Sequence, residues 1–232
     1  MVRVGLEGIE PPKLGGSQKV NLGCFGWTVL SVATVVILYF AGANGRVALA
    51  APDPMTEVKN TVNQVLAVLN DPAYKNSPRK LRDRLREIVE GHLDFTAMAR
   101  SALGPHWREL SKSDQEEFVN LFRRLMEDTY IGKAANYSGE KVEFLNVYNE
   151  GPNYAQVNTN IIQPGRDPIK VTYRLELKDN DWKVYDVLVD EISLISNYRT
   201  QFNRVINRDG YPKLVELVKN KIQQLDASFD SK

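Results

Sequence analysis

Apolar residues recur at intervals of three and four along residues 93–130, a pattern typical of helices with one buried face. Asp94 stands where an N-cap belongs and Gly104 where a helix ends, which predicts a short first helix. Its apolar face carries Phe95, Met98, Ala99, Ala102 and Leu103. Ser113 and Glu116 form a capping box that predicts the start of a second helix. The apolar face of that helix carries Phe118, Leu121, Phe122, Leu125 and Thr129.

The same period predicts four more helices on either side of a central region. Asp53 and Pro54 supply an N-cap and a first-turn proline for a helix with an apolar stripe. Ser77 and Pro78 open a second helix, which is rich in charged residues. The first stripe consists of Val58, Val62, Val65, Leu66 and Leu69. After the central region, apolar residues from Ile192 to Ile206 and from Leu214 to Leu225 indicate two closing helices.

From Lys141 the apolar period changes to two, which is typical of strands with one covered face. Strands are predicted at residues 142–148, 154–162, 169–177 and 182–189, joined by short polar turns. Four such strands pair most simply as an antiparallel sheet. The predicted fold is therefore α+β, with helices packed on one face of a curved four-stranded antiparallel sheet.

Composition narrows the possible functions of the 232-residue chain. Thirty basic residues against 29 acidic ones give no basic surplus, so nucleic acid is not an expected partner. The single cysteine, Cys24, excludes an internal disulfide, and two histidines without nearby cysteines give no zinc spacing. His92 and His106 with Asp94 form the one local group suited to acid–base chemistry.

Residues 1–50 have the layout of a secretory signal peptide. Lys13 and Lys19 precede an uncharged run from Trp27 to Ala43, and Ala48-Leu49-Ala50 offers small residues at a cleavage position. An uncleaved membrane anchor is the alternative, because the run approaches the length of a membrane span. In both cases residues 51–232 form a domain that is carried out of the cytoplasm.

Two separated clusters resemble the MlaC, or toluene-tolerance, family of periplasmic phospholipid-binding proteins. The first comprises Asp94, Phe95, Met98, Ala99, Arg100, Ala102, Leu103, Gly104, Trp107, Gln115, Phe118, Phe122 and Tyr130. The second comprises Trp182, Lys183, Val184, Asp186, Val187, Ser193, Leu194, Asn197, Tyr198, Arg199 and Phe202. One departure is Glu191, at a position where the family often has glycine.

The resemblance implies a fold similar to the NTF2-like cone, with a deep apolar pocket for acyl chains. It also implies a monomeric periplasmic carrier with phospholipid as cargo and no other cofactor. Such a carrier moves lipid between an inner-membrane ABC transporter complex and an outer-membrane lipoprotein/porin complex, and so maintains outer-membrane lipid asymmetry.

A lipid carrier needs a pocket that removes the acyl chains from water. Burial is worth about 0.8 kcal/mol per methylene, so roughly thirty chain carbons gain on the order of 20 kcal/mol. The expected lipid-binding residues are Phe95, Met98, Ala99, Ala102, Leu103, Phe118, Phe122, Leu125, Val171, Tyr173, Leu175, Tyr198 and Phe202. Ala99 and Ala102 are expected to leave room for the chains. The alternative for each of these residues is ordinary core.

Three further questions stay open at this point. Arg100 and Arg199 are candidates for binding a headgroup phosphate, or else they form structural ion pairs with carboxylates such as Asp94 or Asp186. An enzyme acting on an apolar substrate is one rival function. An adaptor that bridges two membrane complexes without binding lipid is another, and it predicts a filled core with an exposed apolar patch.

Overall fold

The computed structural model describes residues 52–74, 77–134, 137 and 139–230. The predicted signal peptide, residues 1–50, lies outside this range. Six α-helices are found in the described part: α1 (Pro54–Asn70), α2 (Pro78–Glu90), α3 (Phe95–Leu103), α4 (Lys112–Ala134), α5 (Leu194–Asp209) and α6 (Tyr211–Asp230). None of these helices has the length and the apolar character needed to cross a membrane.

Side-chain caps fix where these helices begin. Asp53 Oδ2 accepts a hydrogen bond from the Thr56 amide at 3.0 Å, and Asp94 Oδ1 accepts one from the Ala97 amide at 2.8 Å, which confirms both predicted caps. The capping box predicted at Ser113 is wrong. Ser111 accepts from the Asp114 amide at 3.1 Å, so the box lies two residues earlier and α4 begins at Lys112.

One antiparallel sheet follows, with its strands in chain order: β1 (Lys141–Asn149), β2 (Tyr154–Ile162), β3 (Ile169–Lys178), β4 (Asp181–Val189) and β5 (Ile192–Ser193). The α+β class is confirmed, but the sheet has five strands instead of four. Asp190 and Glu191 adopt φ values of 46° and 70°, in the left-handed region where glycine is favoured. This turn reverses the chain and pairs Ile192 with Val189, so α5 begins only at Leu194.

The sheet has one apolar face and one polar face. Ala155, Val157, Leu175 and Val184 point into a core shared with α3, α4, α5 and α6. Alternate residues such as Gln156, Asn158, Thr172 and Arg174 lie on the other face. Only the apolar face can therefore enclose a site for an apolar ligand.

Candidate binding cavity

A cavity of about 580 Å³ lies between α1 and the apolar face of the sheet. Helix α1 contributes Glu57, Val58, Thr61, Val62, Val65, Leu66 and Leu69, which share one helical face. The strands contribute Val142, Ile161, Ile169, Tyr173, Leu175, Trp182, Val184 and Val187. Helix α2 contributes Val89, and the connecting segments contribute His92, Leu93, Tyr137, Glu140 and Gln163. Most of this lining is hydrocarbon, and its volume falls within the usual range for ligand pockets.

Hydrogen bonds at both ends of α1 join this helix to residues of the cavity wall. Before the helix, the indole Nε1 of Trp182 donates to the carbonyl oxygen of Pro52 at 2.6 Å. At its end, Asn70 Nδ2 donates to the Tyr137 hydroxyl at 3.4 Å, and that hydroxyl donates to the Glu140 carbonyl at 3.0 Å. The apolar stripe of α1 therefore faces the sheet across the cavity.

Tyr173 contributes a polar hydroxyl group to the sheet side of the cavity lining. Burial raises the pKa of its hydroxyl to about 12, and a hydrogen bond with Thr159 offsets part of that rise. Thr159 in turn donates to the Val171 carbonyl at 3.1 Å. A phenol with this pKa stays neutral at physiological pH, so it can form hydrogen bonds but supplies no charge to the cavity.

Two of the thirteen lipid-binding residues predicted from the sequence, Tyr173 and Leu175, line the cavity. Val171 is buried on the same strand but outside the lining. The other ten lie together in the helical core, which consists in this part of Phe95, Met98, Ala99, Ala102, Leu103, Phe118, Phe122, Leu125, Tyr198 and Phe202. Lipid contact by these ten residues stays a prediction.

The helical core is filled by aromatic rings. Phe122 lies with its ring centroid 5.5 Å from that of Tyr198 and 5.9 Å from that of Phe202, both edge to face. Ala99 and Ala102 are fully buried beside this cluster. Their small side chains let α3 approach its neighbouring helices, and the cavity lies elsewhere, beneath α1.

The two arginines proposed for a headgroup also lie outside the cavity lining. Arg199 Nε donates to the Ser101 carbonyl at 2.5 Å, and the Arg199 stem lies beside Gly104 at the end of α3. Arg100 is exposed in the last turn of α3. Arg199 therefore caps a helix end, a role that its position 98 residues from Ser101 concealed in the sequence.

The candidate acid–base residues are not brought together. His92 lines the cavity, whereas His106 Nε2 lies 2.9 Å from Asn203 Oδ1. Asp94 caps α3 and forms an ion pair with Lys178 at 2.5 Å. Among the described residues, no cluster of three or more histidine, cysteine or acidic side chains could hold a metal ion.

The sequence did mark α1 as a helix with a buried stripe, but it gave no sign that this stripe faces a cavity. A stripe of valine and leucine has the same pattern against a filled core. The missed lining residues Val62, Val65 and Leu66 could therefore be found only from the structure.

An α+β protein in which a sheet and one helix enclose an apolar cavity is, by class, a binding protein for an apolar ligand. The chain belongs to the MlaC protein family, whose model matches residues 59–220. This confirms the family resemblance seen in the sequence.

Individual relatives agree with this assignment. The intermembrane phospholipid transport system binding protein MlaC of Haemophilus influenzae is 23% identical over 185 residues, covering 77% of this chain and 86% of the relative. The toluene tolerance protein ttg2D of Pseudomonas putida is also 23% identical, covering 78% of this chain and 86% of its own. The structure of the phospholipid-binding protein from Ralstonia solanacearum in complex with a phospholipid superposes with a TM-score of 0.68 at 27% identity, covering 75% of this chain and 99% of that one.

Proposed function

We propose that this protein is a phospholipid carrier whose cavity beneath α1 holds acyl chains. The observation that carries the proposal is the hydrocarbon lining of the cavity of about 580 Å³. Support comes from the Ralstonia solanacearum protein, which has a similar fold and was solved in complex with a phospholipid.

The energetics favour apolar chains as the ligand. Valine, leucine and isoleucine make up most of the lining and offer no side-chain hydrogen bonds, so a polar ligand would lose much of its hydration without compensation. Acyl chains instead gain about 0.8 kcal/mol for each methylene removed from water. The helix α1 shields the chains, and the headgroup stays at the edge of the cavity near solvent.

Support for a wider role in transport comes from the Haemophilus influenzae relative, which is named as the binding protein of an intermembrane phospholipid transport system. We place the protein in the periplasm, reached through the N-terminal segment acting as a signal peptide. There it moves phospholipid as a monomer between an inner-membrane ABC transporter complex and an outer-membrane lipoprotein/porin complex. This exchange maintains the lipid asymmetry of the outer membrane, and it needs no catalysis and no cofactor.

Native mass spectrometry of protein purified without detergent tests the proposal. The expected spectrum shows the protein with added mass equal to whole phospholipid molecules. Val62→Trp fills the cavity from α1 and should remove this added mass while circular dichroism stays unchanged. Gln64→Trp adds the same ring on the exposed side of α1 and should keep the lipid. Unchanged lipid in Val62→Trp would refute the cavity as the binding site, and a protein free of lipid would favour the adaptor function.

A further inference from the structure

The cavity beneath α1 is closed at one end by four buried residues, which we call the floor. Most of the described lining residues are half-buried, but the residues of the floor are only between 1% and 7% exposed: Val58, Leu175, Trp182 and Val184. All four also belong to the main hydrophobic core, so packed side chains lie behind them. A ligand that reaches the floor can go no farther.

The floor lies at the end of the sheet where α1 begins. Leu175 pairs with Val184 across β3 and β4. The hydrogen bond from Trp182 to the Pro52 carbonyl brings the start of α1, and with it Val58, to the same end. Polar lining side chains occur at both ends of the cavity, so burial and not polarity identifies the floor.

The opposite end of the cavity lies where α1 ends. The Tyr137 hydroxyl accepts from Asn70, the last residue of α1, and donates to the Glu140 carbonyl just before β1. Glu140 Oε1 also accepts from Gln163 Nε2 at 3.4 Å. Among the residues that the structure describes, no lining residue at this end is buried. A lipid can therefore be oriented with its headgroup here and its chain ends at the floor.

Two independent measures give the depth of the cavity. From Val58 to Leu69, a helical rise of about 1.5 Å per residue corresponds to about 17 Å along α1. From Ile169 to Leu175, a strand rise of about 3.3 Å per residue corresponds to about 20 Å along β3. An extended acyl chain advances about 1.3 Å per carbon, because its tetrahedral bonds are about 1.5 Å long, so about 13 to 15 carbons fit.

We infer that the chain ends stop against the floor and that the cavity thereby selects phospholipids by acyl-chain length. The inference rests on the proposed function, since it concerns the lipid held in the same cavity. The depth is close to half of the hydrocarbon thickness of a bilayer, which is about 30 Å. The cavity therefore accepts chains of the length that one leaflet contains.

Chain length should have a threshold. Up to the depth of the cavity, each methylene is removed from water in the bilayer and in the cavity alike, so chain length gives no preference. Beyond that depth, a methylene that leaves the bilayer finds no apolar surroundings, which lowers the bound share by about fourfold for each one. Binding should be level up to about 16 carbons, the even-numbered chain nearest to the depth, and should fall beyond it.

Exchange with vesicles of mixed chain length tests the inference. The full chain is incubated with vesicles that contain equal amounts of monounsaturated phosphatidylcholines with about 14, 16, 18 and 20 carbons per chain, a range that brackets one leaflet. After separation, mass spectrometry quantifies each bound lipid. The measured quantity is the bound share of each lipid relative to its share in the vesicles, which does not depend on total loading. The wild type should bind the lipid beyond the threshold about tenfold less than the one before it.

Variants of the floor should move this threshold in opposite directions. Val58→Phe fills the closed end and should shift the threshold to chains about two carbons shorter. Ala67→Phe adds the same ring on the exposed side of α1 and should keep the wild-type threshold. Val184→Ala deepens the closed end and should raise the bound share of the first lipid beyond the threshold by about fourfold. Val189→Ala, the same change at a buried position of β4 outside the lining, should leave that share unchanged.

The alternative outcomes have distinct meanings. Level binding of all four lipids by the wild type overturns the inference but leaves the carrier function intact. A threshold that stays in place in both floor variants also overturns it, because the chain ends would then stop elsewhere. If Val58→Phe does not fold, Val184→Ala decides the question alone. Binding of none of the lipids by the wild type refutes the carrier function itself.

Discussion

The indole Nε1 of Trp182 donates to the carbonyl oxygen of Pro52 at 2.6 Å, joining β4 to the residue that precedes the cap of α1. The two residues are 130 positions apart in the chain. Trp182 also lines the cavity, so the same side chain forms part of the wall and fastens the helix that covers it.

Removing this hydrogen bond should loosen α1. Trp182→Phe keeps an aromatic ring but loses the donor, and the expected loss in the free energy of unfolding is about 1 kcal/mol. Amide hydrogen exchange should accelerate in the first turns of α1, and bound phospholipid should dissociate faster. Trp107→Phe is the control, because Trp107 lies away from the cavity lining. Unchanged exchange in α1 would contradict the fastening role.

Enlarging Ala102 should damage the core and not the cavity. Ala102 is fully buried next to packed rings, so Ala102→Trp is expected to lower the free energy of unfolding by about 3 kcal/mol or more. Thermal and urea denaturation measure the loss. Thr96→Trp on the exposed side of α3 should change stability little. A stable Ala102→Trp protein without lipid would instead support the expectation that Ala102 leaves room for acyl chains.

Arg86 should contribute more to the free energy of unfolding than an ordinary surface arginine does. It bonds to Glu127 at 2.6 Å and to Asp128 at 3.2 Å, and the side chains of these two carboxylates are 2% and 0% exposed. Arg86→Ala removes the ion-pair partner of the buried Glu127 carboxylate and leaves Asp128 with Arg82 at 3.9 Å, so it should lower the free energy of unfolding by about 3 kcal/mol. Urea denaturation provides the measurement.

Arg84→Ala is the matched control for Arg86, since it breaks an exposed pair with Glu87 on the same helix. Its expected loss is below about 1 kcal/mol. Equal losses in the two variants would show that burial of the carboxylates contributes nothing to the effect.

The same buried carboxylates predict how stability depends on pH. Burial raises the pKa of Glu127 above its ordinary value of 4.5 and that of Asp128 above 3.8, despite their arginine partners. The folded protein therefore holds these protons more tightly than the unfolded chain. Their contribution is fully present below the ordinary pKa values and is lost as pH rises through the raised ones.

Urea denaturation of Glu127→Gln at several pH values tests this relation. Within the window that begins at pH 4.5 and extends upward, the wild type should lose stability with rising pH relative to this variant. Glu87→Gln, an exposed substitution on α2, should follow the wild type. Parallel curves for Glu127→Gln and the wild type would show that Glu127 titrates at its ordinary pKa.

Arg199 should affect stability and not lipid content. Arg199→Ala removes the donor to the Ser101 carbonyl, and the expected loss in the free energy of unfolding is about 1 kcal/mol. Native mass spectrometry should show the same bound phospholipid as in the wild type. Arg100→Ala, at the exposed position before Ser101, should change neither the free energy of unfolding nor the bound lipid. Loss of lipid in Arg199→Ala would restore its candidate role as a headgroup ligand.

Local chemistry made much of the fold predictable. Asp53 and Asp94 act as caps because the short carboxylate of an N-cap aspartate accepts a hydrogen bond from a free backbone amide in the first helical turn, which is a local interaction. Periods of 3.6 and 2 separated the helices from the strands, and together they gave the α+β class. The fifth strand was missed because it depends on a left-handed turn at Asp190 and Glu191, and a glutamate rarely adopts that conformation.

The sequence by itself determined which faces are buried, and thereby the class and the element order, and the resemblance of two residue clusters indicated the family. Only the tertiary structure decided what each face is buried against. Ala99 and Val62 both lie on apolar helical stripes, yet one meets packed rings and the other a cavity. The difference depends on how far each helix stands from its partner, and that distance is set by contacts such as Trp182 to Pro52 between residues far apart in the chain.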